Sequence, residues 1–177
     1  MSSKRPLPKV ASAKPKPPAD DLADVKAALP PAVSRPAAAQ YTAADMKKGK
    51  TSVVLPASFI TEVRRQHSAD PAVSMNTAVL VALYQAGWRI PERTLPIGWD
   101  EMDAGIKDRW RAAPPDVGAD GNAVERPTVY LPESFRRQVR ELNVARPDLK
   151  LSDIITKALA DQGWPIPPTL INADAVP

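Results

Sequence analysis

Two stretches of the chain change their hydrophobic period in the same way. Residues 51–55 (Thr51, Ser52, Val53, Val54, Leu55) and 127–131 (Pro127, Thr128, Val129, Tyr130, Leu131) are short and rich in β-branched or aromatic side chains. That composition predicts strands. Pro56 and Pro132 end them and suit the first turn of a helix. The apolar spacing then becomes helical, with Phe59, Ile60 and Val63 in the first stretch and Phe135, Val139 and Leu142 in the second. This predicts helices over 57–68 and 133–144. Pro71 and Pro147 fall in the following turns, and a second helix is expected to start at Asn76 and Ser152, both good N-cap types. Its apolar positions are Val79, Ala82, Leu83 and Ala86, then Ile155, Ala158 and Leu159. Gly87 and Gly163 read as the glycines that stop these helices, each followed by a Trp expected to fold back on the last turn.

These stretches are one unit written twice. An offset of 76 aligns 51–91 with 127–167 without a gap, and 15 of the 41 aligned positions are identical. The identities include Val-x-Leu-Pro, Ser58-Phe59 with Ser134-Phe135, and Gly87-Trp88 with Gly163-Trp164. Such a repeat implies one shared strand–helix–helix fold. Between the copies, Trp99, Met102, Ile106 and Trp110 recur at helical spacing and predict an extra amphipathic helix over 99–112. The remainder of the connection, 114–122, reads as flexible and acidic. The domain plan is therefore an arm over 1–48, copy one over 49–91, a connection over 92–126, copy two over 127–170 and a tail over 171–177.

Composition sharpens this plan at the N-terminus. Residues 1–48 are dominated by Pro, Ala and Lys, as in Lys14-Pro15-Lys16-Pro17-Pro18. Too little apolar surface is available to offset the entropy of ordering, so a disordered arm is expected. A short helix over 20–29 is the exception, with acids at its start. Charge is placed unevenly. Residues 1–50 hold ten Lys/Arg against four Asp, a net +6 within a total of +4. The rest of the chain is slightly acidic, so any polyanion must be bound locally. There is no Cys, no apolar run of membrane-spanning length and no signal-like segment, which points to a cytoplasmic protein away from the membrane.

Catalytic chemistry finds little support. His67 is the only histidine, which argues against His/Cys metal clusters and Ser-His-Asp triads; it reads as a surface or capping group. Asp100, Glu101, Asp103 and Asp108 lie on the amphipathic connecting helix and read as its solvated face. No Gly-rich phosphate loop occurs, so neither enzymatic activity nor a cofactor is expected. Trp88 and Trp164 recur at one place and are read as structural. Trp99 and Trp110 are read as anchors of the connecting helix.

A five-residue strand with two helices cannot bury its apolar face alone. Two copies can, by pairing their strands antiparallel above four helices. With the Val-x-Leu-Pro strands and the stretch Leu151-Ser152-Asp153-Ile154-Ile155-Thr156-Lys157-Ala158-Leu159, the chain resembles the ribbon-helix-helix family of DNA-binding proteins. The resemblance implies a mainly α fold, an intramolecular pseudodimer with a two-stranded antiparallel ribbon. A connection of this length also permits exchange of copies between chains. Alternation turns Val53, Leu55, Val129 and Leu131 inward. The outward residues Lys50, Ser52, Val54, Arg126, Thr128 and Tyr130 map onto the family's base-reading positions in the major groove. Helix-B starts are the family's second contact, which makes Ser74, Asn76, Thr77, Lys150 and Ser152 candidate phosphate ligands. Asp153 departs from that pattern. Helix A of copy two adds Arg136, Arg137 and Arg140, and the unlike strands predict an asymmetric DNA site.

Tandem units behind a basic arm are similar in architecture to the overdrive-binding accessory proteins of T-DNA transfer. The expected function is sequence-specific binding of double-stranded DNA in plasmid or conjugative DNA processing. A ParA-like ATPase or a relaxase is the implied protein partner, with self-association on DNA a further expectation. The alternatives are a transcriptional repressor, a plasmid-partition protein, or a protein–protein adaptor that has kept the fold without the DNA.

Overall fold

The structure is a computed structural model and describes residues 41–112 and 123–177. Residues 1–40 of the expected arm over 1–48, the helix over 20–29, the side chain of Trp110 and the stretch 114–122 lie outside the described residues. Among the described residues are six α-helices and two short antiparallel strand pairings. The helices are α1 (Ala43–Met46), α2 (Ala57–Ala69), α3 (Met75–Gln85), α4 (Trp99–Ala112), α5 (Glu133–Ala145) and α6 (Leu151–Asp161). The strands are β1 (Lys48–Ser52), β2 (Leu55–Pro56), β3 (Val124–Glu125) and β4 (Thr128–Pro132). No helix among the described residues is long and apolar enough to cross a membrane.

The two copies meet through their strands. β1 pairs with β4 from Lys48↔Pro132 to Ser52↔Thr128, and β2 pairs with β3 as Leu55↔Glu125 and Pro56↔Val124. The Val53 N–H donates to the Pro127 carbonyl at 3.1 Å and joins the two pairings in one register. The pairing therefore begins at Lys48, three residues ahead of the expected strand. Those residues alternate without an apolar member on either face, so periodicity could not mark them. Pro56 and Pro132 sit at the N-caps of α2 and α5 rather than inside the first turn, with φ −60° and −61°. No side chain caps these helices. Their first N–H groups donate to the opposite strand instead, Ala57 to Ala123 at 2.8 Å and Glu133 to Lys47 at 3.0 Å.

Contacts between the copies recur with the copies exchanged. Phe59 meets Trp164 edge-to-face at 5.0 Å, and Trp88 meets Phe135 the same way at 5.6 Å. The Ser58 hydroxyl donates to the Pro165 carbonyl at 2.7 Å, and the Ser134 hydroxyl to the Arg89 carbonyl at 2.7 Å. The Trp backbone folds back on its own helix as expected, while the ring reaches across to the other copy's first helix. The positive φ of Gly87 (89°) and Gly163 (83°) makes that reach possible. It lets the Trp88 and Trp164 N–H groups close back on the Leu83 and Leu159 carbonyls, in the six-residue bond that ends a helix. Val53, Leu55, Val129 and Leu131 are all buried beneath the strands, with Phe59, Phe135, Leu83 and Leu159 below them.

Other boundaries move as well. Residues 41–48 belong to the body, not to an arm. Thr42 and Asp45 form a reciprocal capping box around α1, and Asp45 is buried against Arg137 at 2.7 Å. The second helices start one residue before Asn76 and Ser152, with Ser74 and Lys150 at the N-caps. α4 has the expected bounds and packs Ile106 and Trp99 inward, with Trp99 edge-to-face on Tyr84 at 5.2 Å. Its carboxylates are not uniformly solvated. Asp103 accepts from Gln85 and from Lys107, both at 2.7 Å. Lys107 also donates to Gln85 and Gln162, so α4 bridges the C-terminal ends of α3 and α6. There its ammonium complements both helix dipoles. The tail is packed too: Ala175 is buried, and Arg146 donates to the Asp174 carbonyl at 2.7 Å.

Candidate nucleic-acid interface

The antiparallel register places the outward strand residues opposite one another in rungs. Lys50 faces Tyr130, and Ser52 faces Thr128. Val54 faces Arg126, by the continuous register between Ser52↔Thr128 and Leu55↔Glu125. Side chains directly opposite on one face lie about 4.5–5.5 Å apart at Cβ. Each outer rung therefore joins a cation of one copy to an apolar or aromatic residue of the other. The hydroxyl rung lies between them. Lys50, Ser52, Arg126, Thr128 and Tyr130 are exposed, and Val54 is half-buried. Tyr130 keeps 48% of its surface in solvent.

The arginines of the first helices and the two cations of the ribbon face differ in their partners. Those on the first helices are exposed or, at Arg136, half-buried, but each lies beside a carboxylate. Arg136 and Arg140 both pair with Glu133, and Arg137 with Asp45. Arg65 binds Glu62 at 2.6 Å, and Arg64 lies 3.5 Å from Glu125. Hydrogen bonding from Arg140, reinforced by the charges of Arg136 and Arg137, holds the Glu133 carboxyl below the usual glutamate range. Two carboxylates, Glu133 and Asp45, thus offset part of the charge of the three arginines expected to form a basic surface on helix A of copy two. Lys50 and Arg126 behave differently: neither makes an ion pair or side-chain hydrogen bond among the described residues.

The candidate phosphate ligands divide in the same manner. Ser74 caps α3 by accepting from the Thr77 N–H at 3.1 Å, and its hydroxyl lies 2.9 Å from that of Thr77. Thr77 is buried, so it drops out of the solvent-facing set. Asn76 Oδ1 accepts from the Tyr130 N–H at 2.6 Å, which commits its carbonyl to the strand and leaves its amide N–H groups. This bond from α3 to β4 has no local signal in the sequence, because it depends on the fold bringing positions 54 residues apart together. In copy two, Asp153 accepts from the Lys150 N–H at 3.3 Å and draws Ser152 to 3.5 Å from its carboxylate. Lys150 is exposed and Ser152 half-buried. The two helix-B starts therefore present different groups.

His67 holds the turn between α2 and α3, its Nδ1 lying 2.8 Å from the Val73 carbonyl. Among the described residues no three His, Cys, Asp or Glu side chains are grouped to hold a metal. No family model, curated protein or solved structure matches the chain.

Proposed function

We propose that the protein binds double-stranded DNA sequence-specifically as a single-chain ribbon-helix-helix pseudodimer, inserting the β1–β4 ribbon into the major groove. The observation that carries the reading is the pair of unneutralised cations, Lys50 and Arg126, on an exposed ribbon face whose other members are two hydroxyls, a tyrosine and a valine. These groups match what base edges offer: acceptors on guanine for the cations, mixed donors and acceptors for the hydroxyls, and the thymine methyl for valine. A two-stranded ribbon fits a major groove about 12 Å wide. The four residue-to-residue steps from position 50 to 54 span about 13–14 Å at ~3.4 Å per residue, close to four base-pair steps. The arginines of α2 and α5 are engaged by carboxylates, which favours contact through the ribbon face, where the cations have no such partner.

The test is fluorescence anisotropy on a duplex selected from random sequence. Arg126→Ala and Lys50→Ala should each weaken specific binding by about 1–3 kcal/mol, while Arg64→Ala, on a helix already paired to Glu125, should change it little. Unchanged affinity in both ribbon variants, or failure of any duplex to be selected, would favour a protein–protein adaptor. The resemblance to accessory factors of conjugative DNA processing extends the proposal to a ParA-like ATPase or relaxase partner. Its test is ATPase stimulation with and without residues 1–40, leaving the packed 41–48 segment intact.

A further inference from the structure

We infer that the ribbon docks on its DNA in one orientation, and that each half of the target is read jointly by both copies rather than by one copy each. The inference rests on the ribbon reading DNA, and goes beyond it in assigning residues to half-sites.

The register is the starting point. Shifting the pair Lys48↔Pro132 by the repeat offset, with the strands exchanged, gives Pro56↔Val124, which is also present. The same operation leaves Ser52↔Thr128 in place. The two copies are thus exchanged about the hydroxyl rung, and the outer rungs are each other's images. One outer rung holds Lys50 and Tyr130, the other Arg126 and Val54. In chemical class the rungs are alike: one cation, one apolar or aromatic group. In detail they differ at every place.

That difference is enough to give the face a direction. Arg126 carries a planar fork suited to the paired acceptors of guanine, and Lys50 a point charge with rotatable donors. Val54 is half-buried and short, fitted to a thymine methyl, whereas Tyr130 projects and carries a hydroxyl. The backbone beneath the rungs differs too. The Tyr130 N–H is held by Asn76, while Ser152, in the equivalent place of copy two, is drawn toward Asp153. The ends of the ribbon are also distinct. α1 joins the body beside the Lys48↔Pro132 end, fixed to α5 through Asp45 and Arg137.

The joint reading separates residues in an unexpected way. Arg126, just ahead of β4, and Tyr130, within it, lie four residues apart on one stretch of chain yet belong to opposite halves of the site. Arg126 and Val54 lie in different copies yet belong to the same half. Selection from random double-stranded DNA with the full chain should return one motif with two unlike halves. Arg126→Lys and Val54→Ala should relax preference in the same half, and Tyr130→Val in the other, each by about 5- to 150-fold at the affected base pair. Orientation is read separately. The chain lacks Cys, so Ala43→Cys, on exposed α1, carries a DNA-cleaving iron chelate at one place only. Cleavage should fall on one flank of the motif, beside the half relaxed by Tyr130→Val.

Several results overturn the inference while leaving DNA binding intact. They are a strictly palindromic motif, Arg126→Lys and Tyr130→Val relaxing the same half, or equal cleavage on both flanks. Selection that enriches no motif overturns the DNA reading itself, and this inference with it.

Discussion

The exchanged aromatic contacts make a specific claim about cooperativity. Phe59 is fully buried, and the ring it meets edge-to-face belongs to the other copy, Trp164. Phe135 and Trp88 repeat the arrangement in reverse. Removing a fully buried Phe ring costs about 3–5 kcal/mol, part of it from the cavity left behind. The edge-to-face pair contributes about 0.5–1.5 kcal/mol of that beyond area burial. Domains are stable by only about 5–15 kcal/mol, so Phe59→Ala should remove a large fraction of the total. The structure adds that the loss is shared. With one aromatic contact running each way, and the first N–H of each helix bonded to the opposite strand, neither copy can open while the other stays closed. Urea unfolding of Phe59→Ala should remain a single transition, shifted to lower denaturant with its slope unchanged. Hydrogen exchange followed by mass spectrometry reports the copies separately. Protection should fall by the same free energy in α2 and in α5, although α5 carries no substitution. Full protection retained in α5, or two separated transitions, would refute the reasoning.

Two further outcomes follow from the polar contacts. Ser134 is fully buried and its hydroxyl is the partner of the Arg89 carbonyl, so Ser134→Ala should cost about 1–3 kcal/mol in thermal or urea unfolding, and Ser58→Ala, at a half-buried site, less. The Asp45 carboxyl is held below the usual aspartate range, first by the Thr42 N–H and hydroxyl and then by Arg137. Its stabilisation of α1 is therefore complete above the ordinary aspartate pKa and is lost as pH falls through the lowered folded value. Amide signals of residues 42–46 should show that acid step by NMR, and Asp45→Asn should abolish it; an unaltered step would assign it to another group.

Much of this fold was legible because the apolar residues repeat. Val53, Leu55, Val129 and Leu131 alternate as strands must, and the core positions of α2 and α5 follow the helical period. The start of α3 was not legible. Residues 78–83 are buried on every side, since α3 packs against α2, α4, α6 and β4, and a helix buried all round has no polar face to set its phase. Ser74 and Asn76 were then equally good caps on type alone. The start of α6 misled differently, because Lys150 is a poor cap and the helix relies on Asp153 reaching back instead. The capping box of α1 was present as Thr42-x-x-Asp45, but its ordering depends on Arg137, 92 residues away. At the site, alternation correctly gave the outward side chains. It could not give their partners, because cross-strand pairing belongs to the register between copies.

Register also explains why the two copies differ where they do. A core contact such as Phe59 on Trp164 needs one residue from each copy, and the reverse contact needs the same two positions in the opposite copies. Both positions are thus constrained twice, and they are identical in the repeat. The outward strand positions face solvent and constrain nothing beneath them. In a dimer of identical chains a change at such a position would appear in both rungs at once, and the face would stay symmetric. Within one chain Lys50, Val54, Arg126 and Tyr130 each occur once, so each rung can change alone. The sequence shows that separation: Val53/Val129, Leu55/Leu131, Phe59/Phe135, Leu83/Leu159 and Trp88/Trp164 are identical below the ribbon, and a different residue stands at every outward position of the central six. Joining the copies in one chain is what allows a two-fold scaffold to carry an outward face that has a direction.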